Sequence, residues 1–367
     1  MNFEFSEDQK ALQKTVNDYL RDHAPLTVAR QVLESGSRYS ETLWQGAAEM
    51  GWLGAAVPEE YGGSGFGHLE LALIAYELGA ALAPIPFSSS VYLATEALMI
   101  AGNPRQKERF LPALASGQSI GAFALGEGPG RISADAVTTT FADGRLNGVK
   151  VPVCDGDIAD VAVVVARRAG GDVGVFIAEL HQPGVERRPL DSIDPSRGLA
   201  QVAFHDAPAE ALGDGGGDWT LVEMLLDRAA VLMAFEQLGG AGRALELTRD
   251  YCMGRFAFGR PVASFQAIKH RLADLYVETE LARSHAYYAA WALSTDSERL
   301  NAAAAGARAS ASDAFELAGK EMIQLHGGVG FTWEFDCHLF YRRAKHLALV
   351  LGSANEWRDR LIRAIAA

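Results

Sequence analysis

The spacing of apolar residues changes character twice along these 367 residues, and the two changes limit what the chain can fold into. Over the first third, apolar residues recur at helical intervals, as at Leu12, Val16, Tyr19 and Leu20. Ser6 is placed to cap the first helix, with Glu7 and Asp8 in its first turn. Further helical patterns run over roughly 26–35, 40–51, 67–82, 89–101 and 105–115, interrupted at Pro84, Pro86 and Gly102-Asn103-Pro104. From about Ser119 helical spacing stops. Short β-prone runs follow at 121–125, 137–141, 160–165, 173–178 and 200–204. They are parted by the turn signals Asp143-Gly144, Asn147-Gly148, Asp155-Gly156 and Gly170-Gly171. After Trp219 long helical patterns return, over roughly 219–256, 264–293, 299–328 and 336–364. Their many alanines suit close helix packing. The expectation is an α+β multidomain chain: an N-terminal α-helical domain over 1–118, a middle antiparallel β-domain over 119–218 and a C-terminal four-helix bundle over 219–367. The glycine-rich run from Gly213 to Gly217 reads as a flexible exit from the middle domain.

Composition narrows the function classes. A net charge of −13 without a long Lys/Arg run argues against a nucleic-acid surface. The three cysteines, Cys154, Cys252 and Cys337, lie far apart. They form neither a metal motif nor a disulfide framework, which fits a reducing, cytoplasmic compartment. The N-terminus from Met1 to Asp8 is acidic and has no apolar core, so no signal peptide is read there. No uninterrupted apolar stretch is long enough to suggest a membrane span.

Two stretches carry chemistry. Gln324-Leu325-His326-Gly327-Gly328-Val329-Gly330 presents paired glycines, which let another molecule approach the backbone, beside an amide side chain. Open N–H groups there suit an anion. Upstream, Arg255-Phe256-Ala257-Phe258-Gly259-Arg260-Pro261 is followed by Phe265-Gln266. Together these motifs resemble the acyl-CoA dehydrogenase family. So do Trp44, Met50-Gly51-Trp52-Leu53-Gly54 and Val57-Pro58-Glu59-Glu60-Tyr61-Gly62-Gly63, then Ala122-Phe123-Ala124-Leu125 and Leu146-Asn147-Gly148-Val149-Lys150. The likeness covers essentially the whole chain in order.

The resemblance implies FAD held at a subunit interface, an acyl-CoA thioester substrate, and electrons passed to an electron-transfer flavoprotein. It implies a homodimer, a tetramer, or a heterotetramer with a related chain. It places Arg255, Phe258, Phe265, Gln266, Gln324, Leu325, Gly327, Gly328, Ser353 and Asn355 at the cofactor, and no metal.

Elsewhere the chain departs from the family's pattern. The flavin-ring loop, usually Leu-Thr-Glu-Pro-x-Ala-Gly-Ser-Asp, is here Leu125-Gly126-Glu127-Gly128-Pro129-Gly130-Arg131-Ile132. After Lys150 the usual aromatic and hydroxyl residues are replaced by Val151-Pro152-Val153-Cys154. A thiol is a weaker donor than a hydroxyl. The position of the usual base, a Glu before a Gly, holds Leu351. The alternative base position on the first bundle helix holds Ala229. Asp227 and Glu236 are the nearest carboxylates, the latter about 10 Å from Ala229 by helical rise.

Three readings follow. One is the base-poor, adenosine-side subunit of a heteromeric dehydrogenase, of the kind associated with bulky or steroid acyl-CoA thioesters. Another is a self-sufficient homomeric enzyme with a relocated base at Glu236 or Asp227. The third is a non-enzymatic acyl-CoA or flavin binder.

Overall fold

The computed structural model describes residues 5–366; the acidic opening read at Met1 to Glu4 lies outside the described residues. The helices run α1 Glu7–His23, α2 Leu26–Ser35, α3 Glu41–Glu49, α4 His68–Ala80, α5 Glu96–Ala101, α6 Pro104–Ala115, α7 Trp219–Gly254, α8 Gln266–Ser294, α9 Leu300–His326, α10 Cys337–Leu349 and α11 Ala354–Ala366. The strands run β1 Gly121–Ala124, β2 Thr140–Ala142, β3 Arg145–Cys154, β4 Val161–Arg168, β5 Val173–Glu179, β6 Val185–Pro189, β7 Leu199–Pro208, β8 Glu210–Ala211, β9 Phe256–Ala257 and β10 Arg260–Pro261. Helices, then a sheet, then helices is the order expected. Ser6 caps α1 through a capping box with Gln9. Asn103 does the same for α6 with Gln106, and Pro104 takes the first helical position.

The elements gather into two compact units. The first holds α1, α2 as far as Glu34, α4, and the chain from Ala230 onward. Within it α4 and α7 cross through glycines. A Cβ on Gly79 would stand 1.9 Å from the Glu236 carbonyl oxygen, and one on Gly239 would stand 1.8 Å from that of Tyr76. The helix expected over 336–364 is in fact two. The chain turns between α10 and α11 through Leu351 at φ 64 and Gly352 at φ 93. Left-handed residues do not continue a right-handed helix, so the fourth member of the expected bundle is broken.

The second unit holds α3, α5, α6, the start of α7 and an eight-stranded sheet. The strand order is β6-β7-β3-β2-β4-β5-β8, with β1 also on β4. Most pairs are antiparallel. However, β1 and β2 both run parallel to β4, two pairings that the antiparallel domain expected did not include. Each reaches β4 only after intervening chain long enough for a parallel return. Asn147-Gly148, read as a turn, lies inside β3. There the register shifts between Leu146 and Gly148, and a Cβ on Gly148 would stand 2.6 Å from the Thr139 hydroxyl. A glycine within a strand marks such an irregularity.

A buried π-helix over Ser88–Thr95 presents hydroxyls to this unit: Ser89 donates to Asp155, Arg197 to Ser88, and the Gly121 N–H to Ser90. The run from Gly213 to Gly217, expected to be flexible, is tied down. Arg168 donates to the carbonyls of Gly215 and Gly217. Among the described residues no helix is long and apolar enough to cross a membrane, and no group of three or more His, Cys, Asp or Glu is assembled as for a metal ion.

Candidate cofactor-binding site

Helix α7 ends at Gly254 and the chain folds into a two-stranded hairpin, β9 on β10. Its two turn residues, Phe258 and Gly259, have φ 52 and 76, the positive values a tight primed turn demands. Arg255 sits at the hairpin's base. Its N–H donates to the Tyr251 carbonyl at 2.8 Å, and its carbonyl accepts from the Val262 N–H at 2.7 Å. The tip presents an aromatic ring outward, with Phe258 95% exposed. Phe265 meets it edge-on with centroids 6.3 Å apart, and the Arg260 guanidinium lies 3.9 Å over the Phe265 ring. Gln266 opens α8, where the first backbone N–H groups are unpaired within the helix.

The second stretch lies at the other end of the same unit's chain. Helix α9 stops at His326 because Gly327 takes φ 64 and ψ −140, a conformation open essentially to glycine alone. A Cβ on Gly327 or on Gly328 would meet nothing within 4 Å. Crowding within this chain therefore gives no reason for the missing side chain at Gly328, and the pair bares its backbone to open space. Backbone left bare in this way can be approached closely by a ligand, and its N–H groups suit an anion.

A small apolar cluster brings the two stretches together. Cys252, Ala263 and Leu325 are buried against one another, flanked by Tyr251, Val262, Ile268 and Leu272. Tyr251 donates its hydroxyl to the His326 carbonyl at 3.2 Å, and the Cys252 thiol faces the Leu325 carbonyl at 3.8 Å. The segment from Arg255 to Gln266 and the segment from Gln324 to Gly328 therefore meet at this cluster. Leu325 turns inward and is 6% exposed. Ser353 and Asn355 serve α11. Ser353 donates its hydroxyl to Glu356 at 2.8 Å, and the Asn355 carbonyl oxygen accepts from Arg358 at 2.7 Å.

The base positions hold no carboxylate. Leu351 is half-buried, and its carbonyl accepts from the Trp357 indole N–H at 3.0 Å. Ala229 and Asp227 fall in the second unit, both buried. Glu236 lies buried in the first unit beside the fully buried Arg308. Burial pushes the Arg308 guanidinium down to about 9, and the Glu236 carboxylate opposes that shift. Arg308 donates to Gln237, to Ser312 at 2.9 Å, and to the carbonyls of Leu347 and Val350, the last at 2.6 Å. It therefore clamps the turn that carries Leu351. The sequence reading missed Arg308, although a charged residue inside the alanine-rich stripe over 302–312 was the available signal. It also missed Tyr251, one helical turn before Arg255.

In the second unit the altered loop at 125–132 lines a cleft of about 340 Å³ that extends to Val137. Glu127, from this loop, accepts from Lys150 at 2.6 Å and from the N–H groups of Thr138 at 2.8 Å and Thr139 at 3.0 Å. Burial alone would raise its pKa. The hydrogen bonds from Lys150 and Thr138 outweigh burial and hold the carboxyl at about 2. Burial also brings the Lys150 ammonium down to about 8 against the pull of Glu127. The pair is ionised at neutral pH and wholly engaged with this chain's own groups. Cys154 is half-buried on the same strand as Lys150.

Comparison with known proteins finds similarity along most of the chain. Residues 6–118 match the acyl-CoA dehydrogenase N-terminal domain, and residues 215–366 match the acyl-CoA dehydrogenase C-terminal domain. The acyl-CoA dehydrogenase IpdE2 of Mycobacterium tuberculosis is 35% identical over 97% of this chain and 96% of its own. The ChsE4-ChsE5 complex from Mycobacterium tuberculosis contains a chain with a TM-score of 0.91 at 28% identity, covering 100% of this chain and 99% of that one. The Tcur3481-Tcur3483 steroid ACAD contains one with a TM-score of 0.90 at 31% identity, covering 98% of each.

Proposed function

This chain belongs to the acyl-CoA dehydrogenase family, and from that premise we propose that it is the adenosine-side subunit of a heteromeric, FAD-dependent acyl-CoA dehydrogenase. The observation that carries the reading is Leu351: a hydrocarbon stands where the family's base is expected, on a turn clamped by Arg308 and Trp357. A Leu side chain accepts no proton, so the α-proton of the thioester goes to a carboxylate of a related chain. Bound FAD supplies the acceptor for the hydride that leaves the acyl β-carbon, and an electron-transfer flavoprotein takes the electrons onward.

This chain's part is binding and orientation. Arg255 offers its guanidinium fork to the diphosphate. Gln266 and Gln324 offer amides to the adenosine half, and the Gly327-Gly328 backbone allows close approach. Phe258 and Phe265 supply ring faces, and Leu325 holds the glycine turn from beneath. Ser353 and Asn355 are assigned to the same cofactor from the start of α11. The similar ChsE4-ChsE5 complex and the Tcur3481-Tcur3483 steroid enzyme support a paired assembly acting on a bulky acyl-CoA thioester.

The competing reading places a relocated base at Glu236 or Asp227. Glu236 serves as counter-charge to a buried guanidinium, which supports a structural role instead. The test is turnover per bound flavin in the assembled enzyme after Glu236→Gln and Asp227→Asn. Rates within about threefold of the unaltered enzyme are expected. A loss of about 100-fold or more, the usual size of a base's contribution, for either variant would move the base into this chain and overturn the proposal.

A further inference from the structure

Tyr251 touches both halves of the candidate site without belonging to either motif. Its backbone carbonyl accepts from the Arg255 N–H at 2.8 Å, so it stands one helical turn beneath that guanidinium's backbone. Its hydroxyl donates to the His326 carbonyl at 3.2 Å. That carbonyl is among the last of α9, where helical partners run out, and it directly precedes Gly327. The Tyr251 ring also stacks on the His326 imidazole, with centroids 4.1 Å apart and planes 22° apart. Phe335 closes the group edge-on at 6.1 Å from Tyr251 and 6.2 Å from His326. The imidazole is held from its other side. Its Nδ1 lies 2.6 Å from the Met322 carbonyl, which only accepts, so Nδ1 carries the proton.

We propose that Tyr251 is a positioning residue that fixes the separation between the Arg255 hairpin and the Gly327-Gly328 backbone, so that both address one diphosphate. The proposal rests on the reading of these two segments as the adenosine-side FAD site. The geometry gives the hydroxyl a task of its own. A phenylalanine would fill the same space in the cluster and keep the stack on His326, but it would release the His326 carbonyl and with it the entry to the glycine turn. Donors that must meet one ligand lose affinity when their spacing relaxes by a fraction of an ångström.

The experiment is calorimetric titration of the full-length chain with ADP, which carries the adenosine and diphosphate without the flavin ring. It is run well below the melting temperature of every variant. Tyr251→Phe should weaken ADP binding about fivefold, the scale of one lost hydrogen bond. Its melting temperature should stay within about 3 °C of the unaltered chain. Tyr251→Leu, which also loses the stack, should weaken binding further. Arg255→Ala serves as the control and should reduce binding more than either. Unchanged ADP affinity in Tyr251→Phe, with Arg255→Ala impaired, would overturn the positioning role and leave the site reading standing. If Arg255→Ala binds ADP as the unaltered chain does, or if the unaltered chain binds no ADP, both the site reading and the role of Tyr251 fall.

Discussion

At the scale of single residues, the structure buries charge as part of its construction. Lys150 and Glu127 form a largely buried ion pair, with side-chain exposures of 0% and 7%. Removing one partner of such a pair strands the other. Lys150→Met is therefore expected to cost about 3–5 kcal/mol in urea unfolding. The pH dependence follows from the shifts. Glu127 lies at about 2 in the fold against an ordinary 4.5. Its contribution is complete above 4.5 and drains away as pH falls from 4.5 through about 2. Lys150 lies at about 8 against 10.5, so folding weakens as pH falls from 10.5 to about 8 and is then insensitive to it. His326 is pushed below 6.5 by burial, against its bond to Met322. Its folded state resists protonation, so stability falls as pH drops below 6.5. Melting curves from pH 8 to 3 should show loss beginning below 6.5 and steepening below 4.5. His326→Gln should shrink the first phase, to which His338, also pushed below 6.5 by burial, contributes the remainder. Arg308→Met should cost a similar 3–5 kcal/mol by leaving Glu236 without its neighbouring guanidinium. A variant as stable as the parent would show that the clamp on Leu347 and Val350 is dispensable.

At the scale of elements, the amino-acid sequence revealed most helices and the strands with strong periodicity, and the failures have specific causes. The capping residues Ser6 and Asn103 mark helix starts because a hydroxyl or amide there meets orphan N–H groups. Periodicity reads one chain segment at a time, and so it is silent about which segment packs on which. The α4–α7 crossing depends on Gly79 and Gly239, whose role appears only when each helix is set against the other. Either glycine replaced by alanine should lower stability by about 1–3 kcal/mol or more, since the new methyl meets backbone that has nowhere to go. A change below about 0.5 kcal/mol in either variant would contradict the crossing. The break between α10 and α11 was signalled by Gly352 and by the capping-box pair Ser353 and Glu356, against a continuous apolar pattern, while the left-handed Leu351 beside them has no sequence signature. Gly148 was misread as a turn because Asn-Gly is a hairpin signal wherever it falls, and inside β3 it serves a bulge instead. The parallel pairings of β1 and β2 with β4 join strands distant in sequence, which no local pattern encodes.

At the scale of the whole molecule, the candidate site was legible where it consists of motifs and illegible where it consists of support. Arg255, Gln266, Gln324 and the glycine pair stand in fixed spacings that chemistry demands. Tyr251, Cys252 and Ala263, which bring them together, look like ordinary helix and loop residues in a string of letters. The same holds for function. Leu351 and Ala229 were visible as missing carboxylates, while the buried environment of Glu236 beside Arg308 needed the fold. The account predicts a chain that binds one half of a cofactor and depends on a related chain for the rest. The most direct measurement is the amount of FAD released per polypeptide, determined on this chain purified alone and again after co-expression with a related acyl-CoA dehydrogenase chain. The account predicts far less than one FAD per polypeptide for the chain alone, and about one per pair of chains, with substrate-dependent bleaching, for the assembly. One FAD per polypeptide in the chain alone, bleached by an acyl-CoA thioester, would contradict it.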